Sequence, residues 1–229
     1  MEMTEWTIRE FLERLGSAEP TPGGGGSAAL TGAMGAALGA MVGGLTAGKK
    51  KYADVQEEVL RLQGQAQDLQ RRLSAMAQRD AEAFAPLARA YGLPKDTEEQ
   101  RQTREQVLER ALCAAAQTPL EIMRLCVETL GVVERMGQIG SRLAVSDAGC
   151  GAALCRAALH AAALNVFINT KLMRDRDRAE ALNRQAGELI QKGSACADAA
   201  FLAVCAQLNC EGEFYGCIAA GSGDGRRAE

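Results

Sequence analysis

The sequence predicts an all-α fold, an up-and-down bundle of five or six long helices, and three observations predict it. Apolar residues make up 47% of the chain but aromatics only 4%, and the apolar share is mostly alanine and leucine, which favours helices over sheets. Apolar positions recur in steps of three and four over stretches far longer than a strand. From Ala28 to Ala47 there is no charge, and Gly35, Gly39 and Gly43 fall four apart, the spacing of a helix that other backbones approach closely. With 229 residues the chain is long enough for one sizeable core, so residues 1–208 read as a single helical domain and 209–229, rich in glycine and charge, as a poorly ordered tail.

The elements follow in order. Thr7 and Glu10 form a capping-box pattern ahead of Ile8, Phe11, Leu12 and Leu15, an amphipathic first helix that Gly16 ends. Pro20 and Pro22 favour extended backbone, and Gly23 to Gly26 permit angles that other residues avoid. Ser27 is then placed to cap the glycine-rich helix, with Leu30, Met34, Leu38 and Val42 beside its glycine row. A buried central helix fits this stretch better than a membrane span, because alanine and glycine supply most of it. Lys49, Lys50 and Lys51 close it at the negative helix end.

A long stripe runs through Val55, Val59, Leu62, Ala66, Leu69, Leu73, Met76, Ala83 and Leu87, one helix from about Ala53 to Tyr91 with a buried seam. The same steps continued from Met76 reach Asp80. A carboxylate on an inward face is costly unless a partner or a ligand satisfies it, so Asp80 is either half of a buried ion pair or a working group. Pro86 is expected to kink this helix. Gly92 and Pro94 stop it, and Thr97 with Gln100 caps the next, which is kinked or divided at Pro119. Gly137 to Val145 reads as a loop. Ser146 or Asp147 is placed to cap a helix from Ala148 to about Met173; substrate contact is the other reading of Asp147. Asn165 and Asn169 lie one turn apart on a face otherwise built from Ala158 and Ala162. Two carboxamides there suit either a donor-acceptor heterocycle or a tie between helices. Lys171 near the helix end is placed to steer an anion, and a last helix runs from about Arg178 to Gln207.

The runs PTPGGG and GKKKYADV around the small-residue helix, then RDAEAF at Asp80, LPKDTEEQR from Leu93, TPLEI from Thr118, SDAG at Ser146 and NVFINTK from Asn165, resemble the cyclodeaminase/cyclohydrolase family of folate enzymes. The resemblance covers Trp6 to about Leu208. It departs where Gly26 replaces a serine common in the family and where Ser141 and Leu143 replace loop asparagines. It implies chemistry on a one-carbon unit of tetrahydrofolate in a homodimer, with Asp80 as the catalytic proton shuttle. Gly23, Gly24, Gly25 and Ser27 would lie against the substrate, with Asn165 and Asn169 at the pterin, and Lys49, Lys50 and Lys51 on the anionic glutamate tail. Cyclisation of 5-formiminotetrahydrofolate to the 5,10-methenyl compound with loss of ammonia, a step of histidine degradation, ranks first. Hydrolysis of the methenyl bridge to 10-formyltetrahydrofolate is the alternative. Any formiminotransferase partner is expected to be a separate protein. A non-catalytic folate-binding or helical interaction protein is the reading from another class, and a membrane helix dimer built on the glycine row is a third.

A net charge of -3 and a pI near 5.5 give no support to nucleic-acid binding. Glu2 and Glu5 interrupt any secretory leader, and a cytoplasmic location is expected. Phosphate-loop and dinucleotide fingerprints are absent. The eight cysteines contain no CxxC pair and the chain has one histidine, so we expect no metal site and no disulfide framework, only buried thiols. The resemblance implies no permanently bound cofactor, the tetrahydrofolate derivative being the substrate. His160 is given no role.

Overall fold

The computed structural model describes residues 2–210, which form six α-helices: α1 (Ile8–Leu15), α2 (Gly24–Gly44), α3 (Gln56–Tyr91), α4 (Glu98–Ile139), α5 (Val145–Leu172) and α6 (Arg176–Leu208). Among the described residues there is no strand. Five of the six are long, as predicted. The expected tail falls outside the described residues from position 211 onward; α6 ends at Leu208 and is capped by Asn209, in the left-handed region at φ 56°.

Local signals set most of the boundaries. Thr7 accepts from the Glu10 amide at 3.2 Å, and the Glu10 carboxylate accepts from the Thr7 amide at 2.7 Å. Thr97 and Gln100 repeat the box at the start of α4, and Gly16 and Gly92 cap α1 and α3. Both prolines lie inside continuous helix: Pro86 is exposed on α3, and α4 runs through the buried Pro119 as one element of 42 residues.

At the centre lies α2, packed against α3, α4 and α5. Its small row is what lets it sit there. A side chain on Gly35 would strike Cys155 Sγ and come within 2.9 Å of the Gly151 carbonyl, so the backbones of α2 and α5 meet at this point. At the far end of the row, Gln63 of α3 and Met136 of α4 both stand 2.8 Å from where a Cβ of Gly43 would be. Each mid-helix glycine costs about 1 kcal/mol relative to alanine, and the packing of Ala29, Ala36 and Val42, all fully buried, offsets it.

Several expectations need correcting. The central helix is not buried all round: Val42 is, but Leu30 and Leu38 are half-buried, and Met34 and Met41 are exposed. The small row approaches its neighbours most closely, so the large side chains are left on the outer face. Of the apolar face of α1 only Phe11 is buried. The region read as a loop is mostly helical, since α4 continues to Ile139 and a 3₁₀ turn at Arg142–Ala144 leads into α5. Neither Ser146 nor Asp147 caps α5; Ala144 holds that position without a side-chain bond, because the buried Ala144 and Val145 fix the chain there first. Cys113, Cys126 and Cys155 are buried thiols, but Cys150 is exposed. By length and composition alone α2, Arg142–Leu172 and α6 are apolar enough to cross a membrane; in the bundle each turns one side to the core.

Alanine at two glycines separates close approach from helix propensity. Gly35→Ala should lower the unfolding free energy by about 1–3 kcal/mol through overpacking. Gly64→Ala, at an exposed site in α3 with nothing within 4 Å of a new Cβ, should raise it by about 0.5–1 kcal/mol. Urea denaturation of both variants checks this, and the reverse order would mean that α2 and α5 do not meet backbone to backbone.

Candidate active site

Helix α2 begins earlier than predicted, at Gly24 with Gly23 as its N-cap. Ser27 therefore lies within the first turn, where its hydroxyl donates to the Gly23 carbonyl at 3.1 Å. The cap preference of serine is worth only about 1 kcal/mol, and the contacts of Gly25 and Gly26 with α3 decide the start instead. The amides that open a helix have no acceptor within it and form its positive end. Here they face a side chain.

That side chain is Asp80. A Cβ on Gly25 would overlap its Oδ1 and stand 2.5 Å from its Cγ and Oδ2, so only glycine leaves room for the carboxyl. No salt bridge among the described residues reaches it. Burial pushes the Asp80 carboxyl up to about 6, while the Gly26 amide, hydrogen-bonded to it, pulls the other way. Desolvation thus outweighs the helix terminus, and the group can exchange a proton near neutral pH.

Beside Asp80 is a cavity of about 220 Å³ walled by Gly23 to Gly25 at the start of α2, Phe84 on α3, Ala115 on α4, and Asn165 and Asn169 on α5, with Pro20 and Thr21 at its edge. Asn165 Nδ2 donates to the Ala161 carbonyl at 2.9 Å, and Asn169 Nδ2 to the Asn165 carbonyl at 2.8 Å. Asn169 Nδ2 also donates to the Ala115 carbonyl at 3.4 Å. The backbone thereby fixes both carboxamides; each keeps an acceptor oxygen for a ligand, and Asn165 a second N–H as well. A larger cavity of about 480 Å³ lies between α1 and α2, but no ionisable side chain lines it; Ser27 belongs there and not to the Asp80 cavity.

The structure brings together Asp80, Gly23, Gly24, Gly25, Asn165 and Asn169 of the residues singled out from sequence. It separates the others. Lys49, Lys50 and Lys51 follow the C-terminal end of α2, whose 21 residues span roughly 30 Å. Asp147 is in the first turn of α5, at that same far end, where the Ser141 amide donates to Thr46 Oγ1 at 2.7 Å and the Arg142 amide to the Tyr52 hydroxyl at 3.2 Å. Lys171 is exposed on the last turn of α5 and does not line the cavity. Sequence reasoning missed Phe84, although it lies one turn beyond Asp80 on the same inward seam. Among the described residues no three His, Cys, Asp or Glu side chains are grouped to hold a metal ion.

An unpaired carboxyl raised toward neutrality, beside a helix-end amide and two oriented carboxamides, is an arrangement suited to proton transfer on a bound polar ligand. Residues 7–188 match the family described as Formiminotransferase-cyclodeaminase, and the chain belongs to it, a family of folate one-carbon enzymes. Methenyltetrahydrofolate cyclohydrolase of Methylorubrum extorquens is 39% identical over 203 residues, 89% of this chain and 98% of that protein. Formimidoyltransferase-cyclodeaminase of Rattus norvegicus is 30% identical over 81% of this chain, which spans 34% of that longer protein. The crystal structure of formiminotetrahydrofolate cyclodeaminase from Thermotoga maritima superposes with a TM-score of 0.76 at 29% identity, covering 91% of this chain and 98% of that one.

The raised Asp80 pKa makes a prediction about stability. The native state holds this proton up to about pH 6, whereas the unfolded chain releases it near 4, so stability falls as pH rises between the two and stays lower above. Asp80→Asn removes that loss. Thermal melts should show the variant more stable than wild type by about 1–3 kcal/mol at pH 7.5 and close to it at pH 4. An advantage independent of pH would rule out desolvation as its source.

Proposed function

We propose that the chain hydrolyses the 5,10-methenyl bridge of tetrahydrofolate to the 10-formyl compound, with Asp80 as the single proton shuttle. The observation that carries this is the unpaired carboxyl of Asp80 against the α2 amides, inside a cavity lined by Asn165 and Asn169. The similarity to the Methylorubrum cyclohydrolase over nearly the whole of both chains supports this direction of the chemistry. The cavity is smaller than the roughly 300–1,000 Å³ of a complete small-molecule site. It suits the reacting ring system, with the rest of the folate passing over the Pro20–Thr21 edge.

In this reading the Asp80 carboxylate takes a proton from the attacking water as its oxygen bonds to the bridge carbon. The resulting tetrahedral carbon carries a hydroxyl, N5 and N10. Asp80 returns its proton to N5 as the carbon–N5 bond breaks, the hydroxyl proton leaves to solvent, and the formyl group stays on N10. Asn165 and Asn169 hold the ring, and Phe84 supplies an apolar wall. No permanently bound cofactor is needed, because the tetrahydrofolate is itself the substrate.

The likeness to the Thermotoga cyclodeaminase supports a second reading. There N10 attacks a formimino carbon and Asp80 carries the N10 proton to the departing ammonia. Offering the purified protein each substrate distinguishes them: accelerated loss of methenyl absorbance without ammonia supports hydrolysis, and appearance of that absorbance with ammonia supports cyclodeamination.

In either reading Asp80→Asn should lower kcat by about 10²–10⁴ with little change in KM, the range expected on losing a general base. Wild-type kcat/KM should rise with pH and level off above about 6, since the carboxylate form is the one that accepts the proton. Substantial turnover by the variant would remove Asp80 from the mechanism.

A further inference from the structure

The two asparagines of the Asp80 cavity are not equivalent. Asn169 Nδ2 is committed twice, to the Asn165 carbonyl at 2.8 Å and to the Ala115 carbonyl at 3.4 Å, so only its oxygen is left for a ligand. Asn165 Nδ2 donates once, to the Ala161 carbonyl at 2.9 Å, and keeps a second N–H. One side chain therefore offers an acceptor alone, and the other a donor as well.

They also stand at different depths. A Cβ on Gly24 would lie 3.2 Å from Asn165 Nδ2, and one on the adjacent Gly25 would overlap the Asp80 carboxyl. Helix α5 runs antiparallel to α2, since Gly35 meets Gly151 and Cys155 while Gly24 meets Asn165. One turn on from Asn165, Asn169 thus lies beyond the start of α2, beside Pro20 and Thr21 in the cavity wall. The same holds on α3, where Gly32 meets Leu73 and Gly25 meets Asp80, so that Phe84, one turn further on, also lies beyond the helix start. The cavity therefore has two layers about one helical turn, roughly 5 Å, apart. The inner one holds Asp80, Asn165 and the amides of Gly24 and Gly25; the outer one holds Phe84 and Asn169 at the Pro20–Thr21 edge.

We propose that Asn165 is a catalytic residue of the hydrolysis, donating its second N–H to the oxygen that water delivers to the bridge carbon, while Asn169 and Phe84 hold the ring one layer out. This rests on the hydrolytic reading. After attack the bridge carbon carries a hydroxyl as well as N5 and N10. As the intermediate collapses, the hydroxyl proton leaves to solvent and the electron pair left on oxygen becomes the second carbon–oxygen bond. The carbon–N5 bond breaks in the same step, and N5 takes the proton held by Asp80. Negative charge thus builds on an oxygen in the inner layer while Asp80 is engaged with N5. The free N–H of Asn165 is placed to meet that charge, and the Gly24 and Gly25 amides, which have no acceptor within α2, border the same layer. A donor fixed before the reaction stabilises such an oxygen without reorganising, and the Ala161 carbonyl fixes this one.

Asn165→Leu keeps the outline of the side chain and removes its N–H groups. Hydrolysis of 5,10-methenyltetrahydrofolate is followed by loss of methenyl absorbance across pH, with Asn169→Ala measured alongside. In Asn165→Leu, kcat should fall about 10²–10³-fold with KM close to that of wild type. The rise of kcat/KM with pH should keep its midpoint at about 6, because Asp80 is untouched. In Asn169→Ala, KM should rise about tenfold with kcat nearly unchanged. Asn165→Ala should show the same fall in kcat as the leucine variant, and it replaces that variant if circular dichroism shows leucine to unfold the chain. A kcat within about threefold of wild type on loss of the Asn165 N–H would overturn the proposal. So would a fall accompanied by a displaced midpoint, which would make Asn165 a support for Asp80 and not a donor to the oxygen. The hydrolytic reading is judged separately, on the wild type. If wild type and Asn165→Leu hydrolyse alike, only this inference fails; if the wild type releases ammonia from the formimino compound and does not hydrolyse the methenyl one, both fail.

Discussion

The Asp80 carboxyl occupies space that a side chain on Gly25 would fill, and the rest of the site depends on that exclusion. Were residue 25 anything larger, the carboxyl would be displaced from the α2 amides and from the cavity. Were a guanidinium placed beside it instead, the pKa would fall below the usual carboxylate range, and the group would be too weak a base near neutrality. The helix terminus is a gentler partner, since it carries only about half an elementary charge and points a single amide at the carboxyl. Burial therefore prevails and leaves the pKa at about 6.

Holding that geometry takes the whole length of α2. The height of Gly25 relative to Asp80 is set by contacts that run from Gly32 against Leu73 and Cys126, through the backbone meeting with α5, to Gly43 between Gln63 and Met136. Beyond it, the buried Thr46 hydroxyl donates to Val42 at 2.7 Å and accepts from the Ser141 amide, tying the far end to the turn before α5. A helix with side chains along this row would stand further from all three neighbours. Close packing transmits such a shift to both ends, and the carboxyl would lose its place against the amides.

Much of this was legible because it is written in local periodicity. The two capping boxes, the seam of α3 and the interruption of that seam at Asp80 are properties of consecutive residues. So is the pairing of Asn165 with Asn169 among Ala158 and Ala162, and those five elements stand in the structure as read. What stayed illegible depends on distance through space. Lys49 to Lys51 are assigned in sequence to the glutamate tail of the same substrate as Gly23, yet the helix between them is a spacer and puts its ends roughly 30 Å apart. Asp147 was drawn toward the substrate by its motif and lies at the same far end. The exposure of Met34, Met41, Ile8 and Leu12 carries no sequence signal either, since an amphipathic pattern shows that a face is apolar but not what covers it.

The two reactions open to this family differ less at the carboxyl than at what surrounds it. Each passes through a tetrahedral bridge carbon and needs one proton carried from an attacking group to a departing nitrogen, so on the proposed mechanism Asp80 would serve both without rearrangement. Discrimination has to come from whether the attacking group is a water admitted from solvent or N10 of the substrate itself. The Pro20–Thr21 edge, where α2 has not yet begun, is where water would enter, whereas N10 would be placed by the groups that grip the ring. Asn165 and Asn169 are fixed by carbonyls one turn behind them, so the ring has little freedom to turn between the two attacks. On the proposed mechanism the edge of the cavity, rather than the acid at its centre, is therefore where hydrolysis and cyclodeamination would diverge.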